Sequence, residues 1–483
     1  MRGWVGAWAL GAWVATGCGV PEEPVAPPQG GGTPIVVEEP PPSSGPEVTP
    51  GPVEPPPPTV DPNPPVQPPP TAPPPPPTAE PTVGPWPDEA LVNYSSRYGL
   101  GASIQGVAVD DAYNIWLLDG ERIGVLRPGD SAPRWTSGVG QAAGGFGQDR
   151  RALDSSVICG GSAGRAYVGY LTYELDTAFI YSPDGSDFPN YNNPDPTRFD
   201  PVKYDEYLKG DMDVVKLGAD GQVVLEEHLS RSARSNGPSD IGIRNTNDHH
   251  FDEDRSVFTC VKVMRGQHRG DIYIGTNHGV TRVRGLEYNS HRHPVWFKPK
   301  PDGGQTQMAG YTYGLGIAQN GDVLIGNDWN LGVVTPSVAL ADWDKTNDTL
   351  NPEKLNSYLP ELNSLEDKDF WRSLQQTTDG SYYAASKDFG LWKFTIARRS
   401  EARGTKVTGL PTDALSSIAA TDDGSLFIGT RGFGLWKLDA QKQLTHVDGV
   451  DGVSVTQLVY DPTVKPAMLY VLTNAGLTVL RGH

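Results

Sequence analysis

Five side chains able to bind a metal or move a proton fall close together in this 483-residue chain. His249, His250, Asp252 and Asp254 share the run NTNDHHFDED (245–254), and His278 follows shortly after. Imidazole and carboxylate at this density can hold a divalent cation or work as an acid and base pair. Their spacing matches no defined motif, and adjacent histidines usually point apart. No cofactor is therefore expected, and a divalent metal is the minor alternative. The stretches SPDGSDFPNYNNPD (182–195) and DWDKTND (342–348) are rich in oxygen ligands. They lack the spacing, the glycine and the terminal glutamate of a calcium loop, and read as polar turns. Cys159 and Cys260 are the only cysteines beyond Cys18, and they are expected to be buried free thiols, because neighbouring strands often lie beyond a disulfide's reach of about 7 Å.

The elements that must position these groups come from an internal repeat. LSSIAATDDGSLFIGTRGFGLWKLD (415–439) reads as three short strands separated by an Asp-Gly turn and a Gly turn. FWRSLQQTTDGSYYAASKDFGLWKF (370–394) is a second clear copy, and five weaker ones follow the same grammar. The apolar residue of each second strand marks the repeats at Trp116, Tyr167, Tyr273, Leu324, Tyr383, Phe427 and Tyr470. The later spacings of 51, 59, 44 and 43 residues suit a four-stranded blade. The expected fold class is all-β: a seven-bladed β-propeller over 88–483, one blade carrying a large insertion. The last repeat stops after three strands at Leu480, so ALVNYS (90–95) is expected to supply its fourth and close the ring.

Antiparallel geometry puts the second-to-third-strand connections and the links between blades at one end. This end collects His249, His250, Asp252, Asp254, His278, Asp328, Trp329, Lys387, Phe389, Arg431 and Phe433. It also collects the insertions near 176–211 and 336–369. Long loops on a rigid scaffold commonly carry binding function, which makes this end the expected ligand-binding face, with Trp329, Phe389 and Phe433 able to stack on a sugar ring or a peptide side chain. His268, His291 and His293 are expected at the opposite end.

The run GLPTDALSSIAATDDGSLFIGTRGFGLWKLD (409–439), with its LP, DG, IGT and GLW elements, resembles the two-component regulator propeller repeat. The resemblance is good in two repeats and degenerate in five. It implies an extracytoplasmic sensing or binding module. The repeats run almost to the end of the sequence with no kinase or membrane span after them, so signalling would pass through a separate partner.

The start of the chain, MRGWVGAWALGAWVATGCGV, has one early cation at Arg2, an apolar stretch and small residues before Cys18. Residues 1–17 read as a secretory signal, their apolar stretch too short to span a bilayer. Ala15-Thr16-Gly17-Cys18 resembles a bacterial lipobox, with Ala15 where that pattern usually has Leu. The resemblance implies lipid attachment at Cys18, and Gly19 after it favours the outer membrane. Residues 18–87 read as a disordered linker: between Pro21 and Pro87 lie 29 of the 46 prolines and no Lys or Arg. Such runs favour extended polyproline II and could span up to about 200 Å.

A net charge of −19 argues against a nucleic-acid partner, whose phosphates need a basic face. Without a nucleophile motif or phosphate loop, binding is expected rather than catalysis. The leading reading is an exported, lipid-anchored, monomeric sensor or scaffold that takes an envelope protein or glycan ligand. A polysaccharide lyase or hydrolase using the His-containing face, and an envelope assembly scaffold, are the alternatives.

Overall fold

The computed structural model describes residues 89–120, 122–140, 157–170, 212–229, 257–276, 279–291, 295–299, 305–309, 312–327, 331–345, 371–398 and 401–482. The expected signal segment (1–17), Cys18 and the expected Pro-rich linker (18–87) lie outside the described residues, which begin at 89. Among the described residues no helix is long and apolar enough to cross a membrane.

β1 (Leu91–Asn93) leads into a short helix, α1 (Tyr94–Tyr98). The first sheet is β2 (Ile104–Val109), β3 (Ile115–Asp119), β4 (Arg122–Leu126) and β5 (Arg134–Ser137). The second is β6 (Ile158–Gly160), β7 (Arg165–Gly169), β8 (Met212–Leu217) and β9 (Val223–Leu229). The third is β10 (Val257–Lys262), β11 (Ile272–Thr276), β12 (Gly279–Arg284) and β13 (Glu287–His291). A hairpin not foreseen from the sequence follows, β14 (Val295–Pro299) with β15 (Gln305–Ala309).

A seven-stranded sheet comes next. It contains β16 (Thr312–Ile317), β17 (Val323–Asn327) and β18 (Leu331–Val334), then β19 (Trp371–Gln376), β20 (Tyr382–Ser386), β21 (Leu391–Arg398) and β22 (Glu401–Lys406). Among the described residues, the strand pairing between its two halves is a single parallel bridge of Leu315 with Ser373. The next sheet is β23 (Leu415–Ala420), β24 (Leu426–Thr430), β25 (Leu435–Leu438) and β26 (Leu444–His446). The last has β27 (Val455–Asp461), β28 (Met468–Thr473) and β29 (Gly476–Arg481), with β1 antiparallel to β29 and Leu91 opposite Leu480.

Five four-stranded antiparallel sheets in up-and-down order, with their first strands against one another, make a β-propeller arrangement. β6 lies against β2 and β10, β16 against β10 and β19, β23 against β19 and β27, and β27 against β2. The seven second-strand markers all fall on second strands and are buried, from Trp116 on β3 to Tyr470 on β28. Their side chains fill the space between successive sheets. Phe427, for example, packs with Val455, Leu469 and Val471 of the following sheet.

Two local rules explain why the repeats fold this way. At the turn after each of two first strands, Thr-x-Asp-Gly-Ser closes on itself: Thr421 and Thr377 hydroxyls donate to Asp423 and Asp379 at 2.6 Å, and the Ser425 and Ser381 amides donate to the same carboxylates at 3.0 Å. Gly424 takes a φ of +82° there, which an L side chain resists. Close approach of first strands sets the second rule. A methyl group on Gly316 of β16 would lie 1.7 Å from the Leu374 carbonyl of β19, and one on Gly160 of β6 would lie 1.8 Å from the Val109 carbonyl of β2.

Apart from the single β16–β19 bridge, first strands pair within a sheet on one side only, and an open strand edge is a liability. Side chains of neighbouring sheets cover it. The Gln457 amide of β27 accepts from Val107 N at 2.9 Å and donates to Val107 O at 2.8 Å on β2. Ser373 of β19 donates to the Ile418 carbonyl, and Ser417 of β23 accepts from Leu458 N.

Cys159 of β6 and Cys260 of β10 form a disulfide, with their Cα atoms 6.1 Å apart. This corrects the expectation of free thiols. The first strands β6 and β10 lie against each other closely enough to bring these two within bridging range.

Candidate functional site

The first strands line a cavity of about 280 Å³. Its wall is mixed. Val107, Val109, Ile158, Leu315 and Ile418 supply apolar surface, while Thr259, Lys262, Arg372, Ser373, Gln375, Gln457 and Tyr460 supply polar groups. Beyond the strands it is lined by the connections that follow them, at Met264, Arg265, Gln319, Asn320, Asp422 and Pro462.

Lys262 is fixed. Its ammonium is almost wholly buried and donates to Asp111 Oδ1 and to the Gly161 carbonyl, both at 2.8 Å, which ties β10 to the connections after β2 and β6. Arg372 is buried, its guanidinium carbon 5.9 Å from the Tyr313 ring centre. Arg265 pairs with Asp422, and both are about half exposed. The Tyr460 hydroxyl accepts from the Asp422 amide, and burial of that phenol is the chief cause raising its pKa to about 12.

A second polar cluster is built from residues that do not line the cavity. Asp271 accepts from Arg282 Nε at 2.7 Å and from Arg284 Nε at 2.7 Å, while Arg282 Nη2 lies 2.9 Å from His268 Nδ1. Burial first, and the Arg282 charge second, lower the His268 pKa. The Arg282 side chain also donates to the Ser337 carbonyl, so this cluster braces β12 against the segment after β18.

Of the residues singled out from the sequence, His249, His250, Asp252, Asp254, His278, Asp328 and Trp329 lie outside the described residues, as does His293. Lys387, Phe389, Arg431 and Phe433 sit on second-to-third-strand connections as expected, and none of them lines the cavity. Phe433 is 51% exposed. Its loop is held by Trp436 Nε1, which donates to the Phe433 carbonyl at 2.9 Å, and Trp392 does the same to Phe389 at 3.1 Å. The tryptophan of the repeated GLW element is thus a loop brace. Among the described residues no group of three or more His, Cys, Asp or Glu could hold a metal ion.

His268 lies on a first-to-second-strand connection, as expected. His291 requires a correction. The third-to-fourth-strand turn of its sheet is at Gly285, and His291 ends β13 opposite Val280, near the start of β12. It therefore lies at the end of the sheet away from that turn.

Sequence reasoning passed over the cavity residues. They sit on first strands or just after them, and the signal available was their polarity within apolar strands, as in VFTCVK, WRSLQQ and VTQLVY.

No family model matches the chain, and no curated protein does. Among solved structures, a catalytically inactive virginiamycin B lyase from Staphylococcus aureus with quinupristin covers 81% of this chain and 98% of its own, at 9% identity and TM-score 0.43. YCF48 bound to D1 peptide covers 81% and 94%, at 9% identity and TM-score 0.44. A protein of unknown function from Bacteroides caccae covers 55% and 81%, at 11% identity and TM-score 0.31. At these scores the propeller assignment rests on the sheets themselves.

Proposed function

We propose that this chain is an exported, lipid-anchored propeller of seven blades that binds a ligand in its central channel at the cell envelope. The cavity, with polar groups set among apolar ones, carries this reading, since binding sites commonly combine an apolar wall with a few converging polar groups. Seven blades follow if the seven-stranded sheet is divided at its single Leu315–Ser373 bridge and β1 is counted as the fourth strand of the last blade. The contact of β27 with β2 supports closure. The resemblance to two-component regulator propeller repeats favours a sensing or binding role over catalysis.

Export is supported by the signal-like start and by the Cys159–Cys260 bridge, because disulfides persist in oxidising compartments and are rare in the cytosol. Attachment would be through Cys18, with the Pro-rich linker as spacer.

Two measurements test the reading. Full-length protein expressed in a bacterial envelope partitions with membranes, and Cys18→Ser shifts it to the soluble fraction; equal partitioning of both removes the anchor. A thermal-shift screen of neutral, anionic and cationic small molecules raises the melting temperature of the wild type and not of Gln375→Trp, which fills the cavity. Equal shifts in both proteins, or none with any compound, remove the channel as the binding site.

A further inference from the structure

The charge of the cavity wall is opposite in sign to that of the protein. The chain carries a net charge of −19, yet the described residues lining the cavity include Lys262, Arg265 and Arg372 against one carboxylate, Asp422. These cations are not equivalent. Lys262 is held by a carboxylate and a carbonyl in a buried position, and exchanging its partners would disturb three strand ends at once. Arg265 is different. It stands on the connection after β10, and Asp422 stands on the connection after β23. These two sheets are not neighbours, since β16 and β19 intervene. Their ion pair therefore crosses the channel at the end where the first strands finish, over the cavity that both residues line.

Both members of this pair are about half exposed, and exposed pairs contribute little to stability. One carboxylate can replace another on Arg265 with little net cost. A guanidinium offers the planar fork that suits such an exchange. Asp461 is a second carboxylate whose charge reaches Arg265. The cavity wall also carries uncharged polar groups, the amides of Gln319 and Asn320, which hydrogen-bond to Gln376 and Asp322, and the hydroxyl of Tyr460. A ligand suited to this wall carries a carboxylate at one end and hydroxyl groups elsewhere, and about 280 Å³ accommodates a molecule of monosaccharide size.

We propose that the channel cavity takes a small hydroxylated carboxylate, which binds by displacing Asp422 from Arg265. This rests on the channel being the binding site, and it adds the chemical class of the ligand and the residue that selects it.

The test uses isothermal titration of the full chain in detergent, with sodium glucuronate and glucose as probes at matched ionic strength. They differ only in the carboxylate. Glucuronate binds at least tenfold more tightly than glucose. Asp422→Asn, which frees Arg265, raises glucuronate affinity several-fold, and Arg265→Gln lowers it about tenfold. Both positions are exposed enough to change without loss of the fold. A pair that merely braces the mouth would move both variants in the same direction, and that result overturns the proposal. Equal affinity for glucose overturns the ligand class while leaving the channel as a binding site. Absence of glucuronate binding in the wild type overturns the proposal as well, and the response of Gln375→Trp to the wider panel then decides separately whether the channel binds anything.

Discussion

Asp423 shows how much one side chain contributes to a repeated turn. Burial alone would raise its pKa, but hydrogen bonds from Thr421 and Ser425 and the nearby Lys437 charge outweigh it and hold the carboxyl at about 2. Asp379 is depressed in the same way in the preceding copy. A carboxyl that titrates lower in the fold than in the unfolded chain contributes its full stability above the ordinary aspartate value of about 3.9, and loses it as pH falls towards about 2. Asp423→Asn keeps the shape but weakens the two hydrogen bonds. The expected loss at pH 7 is about 0.5–1.5 kcal/mol, and the fall in melting temperature between pH 5 and pH 2.5 becomes shallower than in the wild type. Parallel acid limbs in the two proteins would mean that this carboxylate does not couple folding to protons. The turn was legible in the sequence because Asp-Gly has a local mechanism. Lys262, Arg265 and Gln457 were not, because what they do depends on which strands meet across the channel.

Between elements, the controlling fact is how closely first strands approach. Gly316 faces the Leu374 carbonyl so tightly that a β-carbon would overlap it, and backbone on both sides leaves nothing free to swing away. Gly316→Ala should cost at least about 1–3 kcal/mol, the usual penalty of overpacking, read as a lower urea midpoint with the denaturant slope unchanged. The same proximity makes the disulfide. Cys159 and Cys260 are 101 residues apart in sequence, and closing a loop of that size restricts the unfolded chain by an amount worth about 2–4 kcal/mol in typical cases. The double variant Cys159→Ser, Cys260→Ser should melt several degrees lower, and reductant should lower the wild type to the same point without affecting the variant. The seven second-strand positions were readable because large buried side chains recur at blade spacing. The bridge was not, because sequence reports that two strands are adjacent but not the distance between them. The hairpin of β14 and β15 escaped for another reason: it interrupts the repeat and shares none of its turn chemistry.

At the scale of the molecule, a ring assembled from repeats is only as strong as its closure. In the proposed seven-bladed ring three features close it. β1 pairs with β29 through Leu91, Val92 and Asn93. Gln457 joins β27 to the backbone of β2 on both its donor and its acceptor side. Tyr94, fully buried, packs in one cluster with Leu100 and Ile104 from the start of the propeller and Met468, Tyr470 and Leu477 from its end. These act at different depths, and removing them separately distinguishes their weights. Gln457→Ala leaves two backbone groups to the channel and should cost about 1–3 kcal/mol. A chain beginning at residue 95 loses both β1 and Tyr94. Losing the tyrosine alone is comparable to a large aromatic-to-alanine change of about 3–5 kcal/mol, and β29 is left with an open edge able to pair with another molecule. Compared with a chain beginning at residue 88, this truncation should melt far lower and associate on size exclusion, whereas Gln457→Ala should stay monomeric. If the truncated chain melts within a degree or two of the longer one and stays monomeric, β1 is not what closes the ring, and stability must come from the contacts of β27 with β2 alone.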